Sequence, residues 1–235
     1  MNKFLPALFL AFFYFAVKAQ TPEAAMPTTQ PFGKIDIADL EMKACDFEKD
    51  ANAEVLFDKG NVYFGADLMS ITNEIHRRIK VFNDNGKKEA DIHIKFYSGN
   101  RLEYITGLQA QTINLVNGKP EIIKLDKKLI YTKVIDKNNS EITFTFPDVK
   151  PGSILEYKYN LNTNSFVNFP DWEFQDHIPV RYSELYTAIP DIFYFRANTN
   201  LAMAFAKYKT TSDGRSLLEG SQSYQYTLEN TLRAL

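Results

Sequence analysis

Cysteine is almost missing from this chain. Cys45 is its single example, which excludes an internal disulfide and any cysteine-built metal cluster. Histidine is scarce as well: His76, His93 and His177 show no HxH or HExxH spacing, so no compact metal motif is present. Neither charge sign is in excess, with 27 Lys and Arg against 29 Asp and Glu and a formal net charge of −2. That balance excludes the basic stripe with which a nucleic-acid-binding surface releases counterions. Gly60, Gly65 and Gly99 stand alone, so there is no glycine-rich phosphate loop. Ser153 in PGSILEY and Ser183 in RYSELY have acidic neighbours but no adjacent base, and neither matches the GxSxG elbow. These absences leave no catalytic residue, metal ligand or cofactor site to assign, and no enzymatic activity is expected.

The first residues that are informative by their presence are Met1–Ala19. Asn2 and Lys3 form a short positive n-region, Phe4–Val17 is apolar apart from Pro6, and Val17-Lys18-Ala19 suits cleavage near Ala19. The apolar run is shorter than the roughly 20 residues a spanning helix needs. An exported protein is expected, periplasmic or secreted after cleavage. Residues 20–34 carry three prolines without any period and read as a flexible lead, leaving 35–235 as one β domain.

From about Ala53 onward the dominant period is two. Ile71, Ile75, Ile79 and Val81 occupy odd positions, while Thr72, Glu74, His76, Arg78 and Lys80 occupy even ones. Asn85-Gly86 follows, then Ile92, Ile94 and Phe96 alternate with polar residues. This predicts a hairpin in which Ile79 faces Ile92 and Ile75 faces Phe96. Asn117-Gly118 predicts a second hairpin between Thr112–Val116 and Glu121–Leu125. Ile142, Phe144 and Phe146 line one strand face, Pro147–Gly152 turns the chain, and Leu155, Tyr157, Tyr159 and Leu161 line the next. Further strands are expected at Ile178–Tyr186, Ile192–Ala197, Met203–Lys209 and Ser223–Leu228, with a turn at Asp213-Gly214. The one helical signal is the short Ile37–Asp46. The pattern predicts an all-β fold: an antiparallel β-sandwich, Ig-like in broad architecture, with little helix. With 19 Phe and 13 Tyr available, burial replaces covalent staples, and Ile75, Ile79, Val81, Ile92, Ile94, Phe144, Phe146, Leu155, Tyr157 and Trp172 are the expected core.

Three groups could still carry chemistry. Cys45 lies in EMKACDFEKDAN, where Asp46, Glu48 and Asp50 disfavour a thiolate, so packing is its expected role. In the expected hairpin His76 and His93 share a face, but Arg78, Lys80 and Lys95 make that face a solvated basic one rather than a metal site. The aromatic cluster from Trp172 to Phe195 offers the weak binding candidates Trp172, Phe174 and Tyr182 for a peptide or glycan.

RRIKVFNDNGKKEADIHIKF, the Gly118 hairpin, FPDVKPGSILEYKY and DWEFQDHIPVRYSELYTAIP, in this order, resemble the bacterial domain of unknown function 3857 over about Asp39–Tyr226. Pro147, Gly152, Glu156, Tyr157, Trp172, Phe174, Gln175, Pro179, Ser183, Glu184 and Pro190 are the matching residues, and the resemblance assigns none of them a catalytic role. Members of this family typically stand in front of a transglutaminase-like domain with a Cys-His-Asp constellation. The resemblance therefore implies a non-catalytic module that packs against such a domain, in cis or in trans, or presents substrate to it. The chain ends at Leu235, where that domain would be expected to begin, which reads as a fragment or a stand-alone form. An independent glycan- or peptide-binding sandwich is the alternative.

Overall fold

A computed structural model describes residues 29–196, 198, 204–212 and 221–233. Met1–Ala19, most of the proline-containing lead and the Asp213-Gly214 turn lie outside the described residues. After the short helix α1 (Ile37–Glu41) come β1 (Ala53–Phe64), β2 (Ile71–Val81), β3 (Asp91–Tyr97), β4 (Glu103–Val116) and β5 (Lys119–Lys124). The chain continues through β6 (Tyr131–Val134), β7 (Asn139–Thr145), β8 (Ile154–Thr163), β9 (Val180–Pro190), β10 (Lys207–Ser212) and β11 (Ser221–Thr231). Eight strands form one sheet in the order β10-β11-β9-β1-β2-β8-β4-β5, and β3-β7-β6 form a second. β1 and β9 run parallel, and the other ladders among the described residues are antiparallel. The fold is mostly β and sandwich-like, with little helix.

The two sheets enclose one apolar core. Val55, Ile79, Val81, Leu155 and Tyr157 of the large sheet meet Ile94, Ile142 and Phe144 of the small one, with Phe146 just beyond β7. Ile75 is also buried, Ile92 is half-buried against this core, and Trp172 is half-buried elsewhere. We call the core side of the large sheet its inner face. On the outer face, Leu56, Ile113 and Ile154 pack with Leu40, Ile35 and Met42 of the N-terminal segment. An irregularity in β1 between Val55 and Phe57 brings the consecutive side chains Leu56 and Phe57 both into outer-face contacts: Leu56 in that cluster, Phe57 against His76 and Arg78.

The Asn117-Gly118 hairpin forms as expected: both residues have positive φ, 51° and 73°, between β4 and β5. The Asn85-Gly86 hairpin does not form. Asp84–Ala90 is a 3₁₀ helix, capped by Asn83 Oδ1, which accepts from the Gly86 N–H at 3.2 Å. Gly86 lies so close to the Asn52 carbonyl that a Cβ would stand 2.2 Å from its oxygen. Both edges of β2 are taken, by β1 and β8, and the short helix carries the chain to the other sheet, where β3 pairs with β7. Ile79 shares one core cluster with Ile94, and Ile92 and Phe96 pack against it, so β2 and β3 face each other across the core and the expected ladder pairs Ile79–Ile92 and Ile75–Phe96 are not made.

Three smaller expectations change. Ile192–Arg196 forms no strand, because β9 ends at Pro190 and the chain turns at Asp191; Ala197 lies outside the described residues. The strand expected at Met203–Lys209 runs instead over Lys207–Ser212, pairing with β11. The helix of Ile37–Asp46 stops at Glu41, after one turn capped by Asp36.

Candidate functional site

Two arginines adjacent in sequence, Arg77 and Arg78, project to opposite faces of β2 and organise the polar chemistry of the molecule. On the outer face, Glu156 is a fully buried hub on β8. Its carboxylate accepts from Arg78 NH2 at 2.6 Å, Gln111 Nε2 at 2.7 Å and the Gly33 N–H at 2.9 Å. His76 Nε2 lies 2.9 Å from the same carboxylate and donates to it in the Nε2–H tautomer. Arg78 also donates to the Lys34 carbonyl at 2.6 Å and stacks on Phe57, 4.9 Å from the ring centre. Burial alone would raise the Glu156 pKa, but His76, Arg78 and Gly33 outweigh it and hold it below the usual carboxylate range. Beside the hub, Lys80 is completely buried and donates to the carbonyls of Leu40 and Gly152 at 2.8 and 2.7 Å. The even positions of β2 are therefore not a solvated basic face. Residues 29–42 cover Arg78 and Lys80, and residues 29–34 of the expected lead are held by Arg78 and Glu156.

His93 is on β3 in the small sheet, 3.3 Å from Glu141, so the pairing with His76 expected from the hairpin is not made. Cys45 is fully buried, and burial together with Glu54 pushes its thiol up to about 11. A thiol in that state is a packing group at neutral pH. Arg181 neutralises Glu54 beside it, at 2.6 Å.

The inner face holds the clefts. After β8, residues 164–179 cross this face without regular structure as a strap. Trp172 anchors it: the indole lies over Gly60, where a Cβ would stand 2.5 Å from Cζ3, and its Nε1–H donates to Ser183 Oγ at 3.1 Å. This explains two residues of the DWEFQDHIPVRYSELY stretch by packing. Phe174, also on the strap, is buried, edge-on to Trp172 and Phe205. Tyr182 is buried and donates to Glu184 Oε2 at 2.6 Å, a carboxylate that also takes Gln225 and Lys59. Trp172 and Phe174 thus share the strap, and both line the same cleft, whereas Tyr182 belongs to a separate polar cluster with Glu184.

On one side of the strap is an aromatic cleft of about 510 Å³, walled by Trp172, Phe174, Phe195, Phe205, Tyr208 and Tyr226. On the other is a cleft of about 380 Å³ between the strap and β2 and β8. Arg77 sits in it, donating to Asp58 Oδ2 at 2.7 Å and to Asp176. Burial raises the Asp58 pKa and prevails over Arg77, whereas at Asp176 the guanidinium prevails over burial and lowers it. Burial lifts the Tyr157 phenol on the same wall to about 12, so it is a neutral hydroxyl. Asp58, Asn73, Arg77 and Asp176 were missed by motif reading. A signal was available, since Asn73 and Arg77 occupy odd, inward positions of β2 where the alternation calls for apolar residues.

The fold defines a two-sheet β module with a strap-divided inner face. The family profile of domain of unknown function 3857 matches residues 69–231, and the chain belongs to this family, a domain of unknown function with a solved structure. No curated protein sequence matches the chain. Among solved structures, a candidate protease from Parabacteroides distasonis ATCC 8503 is similar, with a TM-score of 0.58 and 14% identity over 78% of this chain and 36% of its own. An M1 zinc metallopeptidase from Deinococcus radiodurans overlaps at a TM-score of 0.34 and 9% identity, over 76% of this chain and 39% of its own, a likeness too partial to bear on function. The chain thus spans well under half of either structure.

Proposed function

We propose that this chain is a non-catalytic exported module that accompanies a transglutaminase-like domain, packing against it or presenting substrate to it. The observation that carries this reading is the fold itself. The same arrangement occupies 36% of a longer chain described as a candidate protease, as expected of a module that works beside other parts. The buried, unreactive state of Cys45 agrees with a non-catalytic role. A second reading, an independent peptide- or glycan-binding domain, draws on the aromatic cleft beside Trp172. The coding sequence that follows or neighbours Leu235 is expected to encode a Cys-His-Asp domain. Produced separately, that domain should co-elute with this chain in gel filtration and change its turnover when the chain is added. Separate elution at micromolar concentrations with unchanged turnover would overturn the proposal and leave the second reading.

A further inference from the structure

The smaller cleft beside the strap is acidic. Five carboxylates line it, Asp58, Glu103, Asp171, Glu173 and Asp176, against the single guanidinium of Arg77. Arg77 engages Asp58 through Oδ2 and also holds Asp176, while Asp171 and Glu173 are exposed on the strap and make no ion pair among the described residues. Two acceptors remain on the floor, beside one buried donor without a partner, Arg77 Nε. Asn73 is 4% exposed and Asp58 9% exposed, and the Oδ1 atom of each is buried with no hydrogen-bond donor among the described residues. A buried acceptor without a donor is destabilising, so two of them in one acidic cleft mark a place for donors.

The walls narrow the choice of ligand. A hard metal ion requires several charged oxygens converging on one point, and no group of three or more His, Cys, Asp or Glu side chains converges in that way among the described residues. Ile75 and Tyr159 also line the cleft. A ligand matched to both kinds of wall has an apolar stem and a positively charged, donor-rich head. Lysine and arginine side chains have this construction. We propose that this cleft takes the ammonium or guanidinium head of a basic side chain on a peptide, with the head donating to Asn73 and Asp58 and the rim acids Asp171 and Glu173 drawing it in. The inference stands whether or not a transglutaminase-like domain accompanies the chain, because it is tested on this chain alone.

Trp172 is the only tryptophan and lines this cleft, so its emission reports on occupancy. The mature chain is titrated with Gly-Lys-Gly and Gly-Arg-Gly, both terminally blocked, with Trp172 emission and titration calorimetry read in parallel. A saturable change is expected for both peptides, and none for the Nε-acetyl-lysine form. Asn73→Leu is close to isosteric and removes an acceptor that has no donor, so the fold is retained; it should weaken binding at least tenfold. Asp171→Asn with Glu173→Gln, both exposed, should weaken it and flatten its salt dependence. Three results overturn the proposal: an equal response to the acetylated peptide, unchanged affinity in Asn73→Leu, or a response to calcium or spermidine with neither signal from the peptides.

Discussion

Arg77 and Arg78 are one residue apart, yet they teach opposite lessons about buried charge. Arg78 is closed off: residues 29–34 lie over it, and Glu156, Lys34 and Phe57 engage it, with the carboxylate of Glu156 taking four polar partners. Arg77 is left open to a cleft, with two carboxylates held and two neighbouring acceptors unpaired. The outer side has the character of structure, because the buried Glu156 carboxylate has its partners in place, although Arg78 Nε is buried without an acceptor. The inner side, where Arg77 Nε and the Oδ1 atoms of Asp58 and Asn73 lie buried without partners around an open cleft, has the geometry of the proposed site.

The comparison breaks first at the hub. Glu156→Ala strands Arg78 without its carboxylate, and loss of one member of a buried pair costs on the order of 3–5 kcal/mol. Arg77→Met leaves Asp58 and Asp176 beside a cleft that water can enter, and should cost about 1–3 kcal/mol. Urea unfolding of each variant against the parent measures both. Equal losses would mean that the two faces do not differ in the way their geometry implies. The double change Arg78→Met with Glu156→Leu removes both charges and should recover much of the Glu156→Ala loss. Acid acts in the same sense: the Glu156 contribution is complete above its unfolded value near 4.5 and fades as pH falls through its lowered folded value, whereas Asp58, raised by burial, is relieved by protonation.

A second substitution sharpens the inner-face side of the comparison. Gly60→Ala places a methyl group 2.5 Å from the Trp172 ring, so the indole must move or the strap must lift. Overpacking of this kind costs about 1–3 kcal/mol. The expected signature is a lower urea midpoint together with a changed Trp172 emission, and loss of the Trp172–Ser183 hydrogen bond should accompany it. An unaltered emission spectrum would show that the strap is not held by this contact.

These two faces were not equally legible in the sequence. Alternation marks Ile79, Val81, Phe144 and Leu155 as inward, and all four are buried. Alternation reports which face a residue takes and says nothing about which strand lies beside it. For that reason the turn at Asn117-Gly118 was read correctly while Asn85-Gly86, with the same dipeptide, joins strands of different sheets. The outer face of β2 was unreadable for another reason: His76, Arg78 and Lys80 look like a solvated row until residues 29–42 are laid over them. Residues 29–36 have no period and Ile37–Asp46 gives only a short helical signal, so nothing in the segment announces that Ile35, Leu40 and Met42 pack on the sheet. The acidic cleft is assembled from β1, β2, β4, β8 and the strap, so no local spacing announces it.

Lys80 tests whether saturation of the outer face extends beyond the hub. Its ammonium donates to two carbonyls, Leu40 and Gly152, and makes no ion pair with a carboxylate among the described residues. Burial, reinforced by Lys43, lowers its pKa from 10.5 to about 8. Below about pH 8 both folded and unfolded chains carry the proton, and the full cost of burying the charge is felt. Between about 8 and 10.5 the folded chain has released the proton while the unfolded chain retains it. The unfolded state then binds more protons, and stability rises with pH through that window. Lys80→Met removes the titrating group. The urea midpoint of the parent should therefore climb relative to that of the variant between pH 8 and pH 10. A constant difference across the window would mean that the charge on Lys80 is as well compensated as that on Arg78.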